Sequence, residues 1–218
     1  MSVTTAVTVL TVNPQAIDQR LIAQAAACLR DDGVVAFPTE TVYGLGARAD
    51  HPAAVARLVA VKGRPPEKPF AVLVADVDAA HTLADLSSPS AQRLIQCFWP
   101  GPLTLIAPSR AGGLPAHGTL PRRAGTIGLR CPAHPIAQAL VRAAGVPIAA
   151  TSANRSGGAE PRTAAEVRAA LGSAIDLVLD GGPTREGQPS TVVDLTGVSW
   201  RVVRAGALSV DAITAALA

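Results

Sequence analysis

Short apolar runs alternate with amphipathic segments along the chain. Runs of β-branched and aliphatic residues predict strands at 7–12, 34–37, 70–75, 103–107, 126–130, 146–150, 177–179, 191–195 and 200–203. Apolar residues at helical spacing predict helices at 50–61, 135–144 and 163–171, and two more helices begin after the capping residues Ser88 and Ser209. The irregular order of these elements indicates an α/β fold with a mixed sheet.

Turn residues bound the first predicted helix. Asn13 and Pro14 are typical of an N-cap followed by proline at the first helical position, and Gly33 ends the apolar face. We interpret residues 38–46 as a polar loop. Residues 108–125, rich in glycine, proline and arginine, form the longest predicted irregular stretch.

Composition predicts one folded domain. Hydrophobic residues make up 49% of the 218 positions and charged residues 16%, the opposite of the balance in disordered chains. We therefore expect a single domain over residues 1–218, with its informative motifs between about 14 and 206. The formal charge of +3 permits a nucleic-acid partner without requiring one.

Several classes of protein are disfavoured. No apolar run approaches the ~20 residues of a membrane span, and residues 1–12 do not resemble a secretion signal, so we expect a cytoplasmic protein. The three cysteines have no paired spacing, and no transition-metal motif is present. The sequence also contains no P-loop, no Rossmann glycine fingerprint and no hydrolase nucleophile elbow.

The polar residues that follow apolar strands are the candidates for chemistry, since ligands of open α/β sheets bind beyond strand ends. Thr39 follows one strand, together with a carboxylate, a tyrosine and two glycines. Lys62 and Lys68, the only lysines, flank Arg64 in a proline-rich segment suited to phosphate oxygens. For the segment with Thr39, the alternative is an ordinary polar turn. For the lysine segment, the alternative is a solvated basic turn.

Other strand ends carry hydrogen-bonding groups. Ser152 and Asn154 follow the strand at 146–150 and either bind a small ligand or satisfy their own turn. Arg130 offers a fork to a carboxylate or phosphate, or makes a structural ion pair. Ser190 and Arg204 likewise place a hydroxyl and a guanidinium at strand ends. The residues alone thus predict an α/β protein with a cationic, hydroxyl-lined anion site, but no particular substrate.

Seven motifs together resemble the YrdC/TsaC family and follow its order from about residue 33 to 206: FPTETVYGLG (37–46), KGRPPEKPF (62–70), WPGPLT (99–104), GLRCP (128–132), SAN (152–154), STV (190–192) and RAG (204–206). The resemblance implies a twisted mixed sheet with flanking helices around a basic concave cleft. It also implies a nucleotidyltransferase that condenses L-threonine, bicarbonate and ATP, with Mg2+, to threonylcarbamoyl-AMP and pyrophosphate. Such an enzyme would supply the transferase machinery that modifies tRNA, and the family's link with RNA makes RNA binding a further expectation.

The resemblance also assigns residues. It implies catalytic roles at the triphosphate for Lys62 and Arg64, and a threonine site formed by Thr39, Arg130 and Ser190. The nucleotide would lie against Lys62, Arg64, Thr104, Ser152, Asn154 and Arg204. Mg2+ would be held by phosphates and water rather than by protein ligands.

This sequence departs from its relatives at two positions, and two rival functions stay open. Leu73 stands where some relatives carry histidine, and Ala205 replaces a common proline. The chain ends soon after the last motif, as in short family members without the extra C-terminal domain. The rivals are a non-catalytic RNA-binding module, and a carbamoyl-transfer domain of the kind found in hydrogenase-maturation proteins.

Overall fold

A ten-stranded mixed sheet organises the computed structural model, which describes residues 7–65, 68–112, 114, 123 and 125–218. The strands are β1 Thr8–Thr11, β2 Val35–Phe37, β3 Gly44–Arg48, β4 Ala71–Leu73, β5 Leu103–Pro108, β6 Thr126–Arg130, β7 Ile148–Ser152, β8 Leu177–Asp180, β9 Thr191–Asp194 and β10 Arg201–Arg204. The helices are α1 Gln19–Arg30, α2 Pro52–Lys62, α3 Val77–Leu83, α4 Pro89–Phe98, α5 Pro135–Ala144, α6 Ala164–Leu171 and α7 Val210–Leu217, and a 3-10 turn spans Gly172–Ala174.

The strand order is β1-β8-β2-β3-β7-β4-β6-β5-β9-β10. Four neighbouring pairs are parallel (β1/β8, β8/β2, β4/β6 and β5/β9) and the other five are antiparallel, so the sheet is mixed. This confirms the predicted α/β class with a mixed sheet and flanking helices.

Hydrophobic side chains pack on both faces of the sheet, because strand residues alternate in direction. On one face, Ile22 and Leu29 of α1 pack with Ile136 and Leu140 of α5 over the side chains of β2 and β8. The larger cluster on the other face joins α2, α3, α4, α6 and α7. The cavity described below lies on the α1 and α5 side of the sheet.

The prediction for the start of α1 was wrong. The helix begins at Gln19, and Asp18 caps it by accepting the backbone N–H of Arg20. Asn13 instead closes a separate turn, in which its carbonyl accepts the N–H of Ala16. The predicted caps at Ser88 and Ser209 are confirmed.

Two elements were missed. Strand β3 carries two glycines and was interpreted as a loop, yet it pairs with β2 and β7. A Cβ at Gly46 would lie 2.8 Å from Ile148 and 3.0 Å from the Phe37 ring, so close packing requires glycine there. Helix α3 is short and begins at Val77, after the N-cap Asp76, whose carboxylate accepts the Ala79 N–H. The prediction of an irregular stretch at 108–125 falls largely outside the described residues.

Candidate active site

A cavity of about 190 Å3 lies on the sheet face that α1 and α5 share. Its floor is a row of small residues on neighbouring strands. Ala150 of β7 is in register with Ala71 of β4, and Ala71 is in register with Gly128 of β6. Residues in register on adjacent strands project to the same face. Small residues at one level of three consecutive strands therefore form a shallow trench, and no acidic residue lines it in the described part of the chain.

The structure brings the predicted site residues together. Seven of the nine line the cavity: Thr39, Arg64, Thr104, Arg130, Ser152, Ser190 and Arg204. The other two, Lys62 and Asn154, are hydrogen-bonded to Ser152 at its edge. These residues are separated by up to 165 positions in the chain, so their meeting at one cavity depends on the strand order. Their individual roles stay predictions.

Lys62 is the last residue of α2 and only 5% exposed, so the alternative of a solvated basic turn was wrong for this lysine. Its ammonium donates to the Ser152 carbonyl at 2.7 Å, to Ser152 Oγ at 3.1 Å and to Asn154 Oδ1 at 2.6 Å. An ammonium has three N–H groups, and protein acceptors use all three. A phosphate oxygen would therefore have to replace one of these acceptors.

Burial and neighbouring charges act on the ionisation of Lys62. Desolvation, together with the positive charges of Arg64 and Lys68, lowers the pKa of Lys62 to about 8. The three acceptors around Nζ favour the charged form at neutral pH. Lys62 is therefore positively charged at neutral pH and loses its proton around pH 8.

Arg64 shapes the segment that follows α2. Its Nη2 donates to the carbonyls of Lys68 and Pro69 at 2.8 and 2.6 Å, and its guanidinium lies 3.7 Å from the centre of the Phe70 ring. Burial lowers the pKa of Arg64 to about 10, which leaves it charged at neutral pH. The guanidinium therefore both closes its own loop and presents charge to the cavity.

Arg130 makes the ion pair that was one of its two predicted alternatives, and it also lines the cavity. Its Nη2 lies 2.7 Å from Glu40 Oε1 and 2.9 Å from Thr41 Oγ1, and Arg130 is only 8% exposed. Thr39 extends the network, since its hydroxyl lies 2.8 Å from that of Thr41 and donates to the Val42 carbonyl. Sequence reasoning noted the Glu40 carboxylate but gave it no role, because its partner is 90 positions away.

Ser190 links the residues assigned to two different subsites. Its hydroxyl lies 2.8 Å from Thr104 Oγ1, and Arg204 Nη2 donates both to its carbonyl at 2.7 Å and to its hydroxyl at 3.1 Å. Burial lowers the pKa of Arg204. The resemblance placed Ser190 with threonine, and Thr104 and Arg204 with the nucleotide, so the two subsites would meet here.

Two further observations limit the chemistry of the site. Leu73, at the position where some relatives carry histidine, adds an apolar wall beside Arg130, with which it is in register. Among the described residues, no group of three or more His, Cys, Asp or Glu side chains could hold a metal ion.

The family model described as telomere recombination, that of Sua5, YciO and YrdC, matches residues 27–206. The chain belongs to the Sua5–YciO–YrdC family. The match spans every motif that surrounds the cavity, from Thr39 to Arg204, and confirms the family that the sequence resembles.

Members of the Sua5–YciO–YrdC family resemble the chain over most of its length. The threonylcarbamoyl-AMP synthase of Bacillus subtilis is 43% identical over 90% of this chain and 56% of its own length. The enzyme of the same name from Chromohalobacter salexigens is 39% identical over 80% of this chain and 92% of its own. A crystal structure of Pyrococcus abyssi Sua5 complexed with L-threonine superposes with a TM-score of 0.90 at 38% identity, over 96% of this chain and 60% of that one.

The chain thus spans just over half the length of the Bacillus relative. In the part of the chain that the structure describes, no helix combines the length and apolar character needed to cross a bilayer.

Proposed function

We propose that this chain is an L-threonylcarbamoyladenylate synthase, a nucleotidyltransferase that condenses L-threonine, bicarbonate and ATP. The observation that carries the proposal is the cavity lined by Arg64, Arg130 and Arg204 and by hydroxyl groups, on a fold shared with a threonine-bound Sua5. Guanidinium groups suit carboxylate and phosphate oxygens, and the hydroxyls suit small polar groups. Two relatives named threonylcarbamoyl-AMP synthase support the same reaction.

The reaction has two bond-forming steps. The threonine amine adds to CO2 derived from bicarbonate and loses a proton, which gives a carbamate. A carbamate oxygen then attacks the α-phosphorus of ATP, the bond to the β-phosphate oxygen breaks, and pyrophosphate leaves. Such a transfer needs alignment and positive charge rather than a covalent nucleophile on the protein.

The cavity offers groups for each step. Arg130 and Thr39 would hold the threonine, and Ser190 would lie where threonine or its carbamate meets the nucleotide. Arg64 and Lys62 would stabilise charge that develops on the triphosphate, while Thr104, Ser152, Asn154 and Arg204 would orient the nucleotide. Mg2+ would enter as part of MgATP, held by phosphate oxygens and water, because the described residues provide no carboxylate cage.

The product's chemistry suggests the rest of the process. A mixed anhydride of a carbamate and AMP is an activated acyl donor, and we propose that threonylcarbamoyl-transferase machinery passes its acyl group to an adenosine of tRNA in the cytoplasm. Direct binding of RNA by this chain is a further proposal, consistent with its formal charge of +3.

Pyrophosphate release from ATP is expected only when L-threonine and bicarbonate are both present. The purified chain would be incubated with MgATP, and pyrophosphate and AMP-linked product would be measured with each substrate omitted in turn. Equal turnover without threonine would replace the proposal with a simple ATPase. No turnover, combined with tight RNA binding, would favour the RNA-binding module.

The pH dependence of this reaction is expected to report Lys62. Because the pKa of Lys62 is lowered to about 8, the ammonium is charged below that pH and becomes neutral above it. The kcat/KM for ATP in the free enzyme should therefore fall above about pH 8, since kcat/KM reports ionisations of the free enzyme. A profile that stays flat to pH 10 would mean that the charge on Lys62 is not needed.

A further inference from the structure

We propose that Glu40 is a positioning residue for Arg130, and that it determines which edge of the guanidinium a substrate carboxylate can reach. This inference rests on the proposed function, because the carboxylate concerned is that of threonine. Glu40 itself does not line the cavity, whereas Arg130 does.

Glu40 is held from two sides. It is 9% exposed and lies between β2 and β3. One carboxylate oxygen lies 2.7 Å from Arg130 Nη2, and the other accepts the backbone N–H of Ala133 at 3.0 Å. Ala133 lies just before α5, so the carboxylate is anchored to backbone that does not move with the Arg130 side chain. Glu40 can therefore fix the orientation of the guanidinium.

Most of the N–H groups of Arg130 are already used. Nη2 donates to Glu40 and to Thr41 Oγ1, and Nε donates to the Gly101 carbonyl at 3.3 Å. Of the five N–H groups of a guanidinium, the two on Nη1 have no acceptor among the described residues. A ligand carboxylate is then held through Nη1 alone, and the two-nitrogen fork expected from the sequence is not available.

The ion pair between Arg130 and Glu40 also determines the net charge near the threonine carboxylate. Glu40 compensates Arg130 before any ligand binds, so the gain from a second carboxylate depends on the geometry of Nη1 rather than on unpaired charge. Without Glu40 the guanidinium would be freer to turn and would keep its charge. Positioning therefore predicts weaker threonine binding when Glu40 is replaced, whereas simple electrostatics predicts equal or tighter binding.

Glu40→Gln tests the difference. Glutamine has nearly the same shape, but its amide cannot accept from both Arg130 and Ala133, because one of its two polar atoms is a donor. We expect the KM for threonine to rise about tenfold to a hundredfold, as for a broken buried hydrogen bond to a charged group, while the KM for ATP changes by less than about threefold. Asp50→Asn is the matched control, since Asp50 pairs with Arg48 and neither residue lines the cavity.

A ligand analogue gives a readout that loss of stability would not produce. L-Threonine amide lacks the carboxylate, so the native protein should bind threonine much more tightly than the amide, as measured by calorimetry. In Glu40→Gln that preference should fall to near unity, because the two changes remove the same interaction and are not additive. Thr41→Val, which removes a second contact of Arg130 Nη2, should reduce the preference in the same direction and serves as the test if Glu40→Gln does not fold.

Each outcome decides between the hypotheses. A native-like preference for threonine over its amide in Glu40→Gln, or in Thr41→Val if that is the variant that folds, would overturn the positioning role while leaving the proposed function intact. Equal losses in Asp50→Asn would also overturn it. A native protein that neither binds threonine nor needs it for pyrophosphate release would overturn the proposed function, and this inference with it.

Discussion

Lys62→Ala is expected to lower the rate of threonine-dependent pyrophosphate release on the order of a hundredfold or more, as when a preorganised donor to a developing negative charge is removed. The reason is specific to this position. The ammonium is held by Ser152 and Asn154 at the cavity edge, so it contributes a charge and also fixes two groups assigned to the nucleotide. Alanine removes all of these effects together.

The same substitution is also expected to reduce stability. Loss of the ammonium removes its hydrogen bonds to the Ser152 carbonyl and to Asn154 Oδ1, at a cost of about 1.5–3 kcal/mol for each bond to a charged group. The two acceptors keep the Asn154 N–H and the Ser152 hydroxyl as donors, so neither is left unpaired. A solvent-facing lysine would have shown no such loss. Thermal unfolding without ligand should reveal it, and rates should be measured well below the lowered Tm.

Two further substitutions separate the contributions at this position. Lys68→Ala removes the only other lysine, which is exposed, and should have a far smaller effect on rate and stability. Lys62→Arg keeps the charge but places a planar, five-donor group where three acceptors surround one nitrogen, so it should rescue poorly. Near-native rates in Lys62→Arg would show that only charge matters, and near-native rates in Lys62→Ala would remove Lys62 from the mechanism.

Local patterns predicted most of the fold. Buried strands such as β2 and β8 are short apolar runs, and caps such as Ser88 and Ser209 supply side-chain oxygens for orphan N–H groups. Strand β3 was not predicted because glycine has low strand propensity. Its glycines are explained only by the Phe37 ring and Ile148 pressing against them, and these contacts come from neighbouring strands.

The candidate site likewise has features that the sequence predicts and features that it does not. Residues such as Arg130 and Ser152 could be selected from the sequence because each places a hydrogen-bonding group at the end of an apolar strand, where ligands of α/β sheets bind. Their mutual contacts could not, because they depend on which strands become neighbours. The Arg130 to Glu40 pair and the bond from Lys62 to Asn154 each join residues about 90 positions apart.

The floor of the cavity shows most clearly that contacts between strands could not be predicted from the sequence. Ala71, Gly128 and Ala150 are unremarkable in the sequence, since alanine and glycine occur everywhere in this chain. They form a trench only because β4 pairs with both β6 and β7 in one particular register. The shape of the site is thus a property of the pairing, whereas its chemistry is a property of the residues.

Gly128→Val is expected to abolish most substrate binding in a protein at least as stable as the native one. A Cβ at this position would lie 3.8 Å from both Ala71 Cα and Thr104 Cγ2, which is ordinary contact, so the strand accepts a side chain without moving. Replacing glycine in a strand by a β-branched residue also reduces the entropy lost on folding. The added methyl groups must then project into the trench.

The loss of binding should grow with the size of the side chain. Forcing extra methyl groups into a packed site costs about 1–3 kcal/mol, which corresponds to about tenfold to a hundredfold in affinity. Gly128→Ala adds only the Cβ and should show a smaller loss, so the pair of variants separates filled volume from any general disturbance of β6. Calorimetry with threonine and with ATP identifies the ligand that lies over the floor, and thermal unfolding confirms that the strand is intact. Native affinities for both ligands in a stable Gly128→Val protein would mean that neither substrate occupies the trench, and the site would then have to be sought among the arginines at its rim.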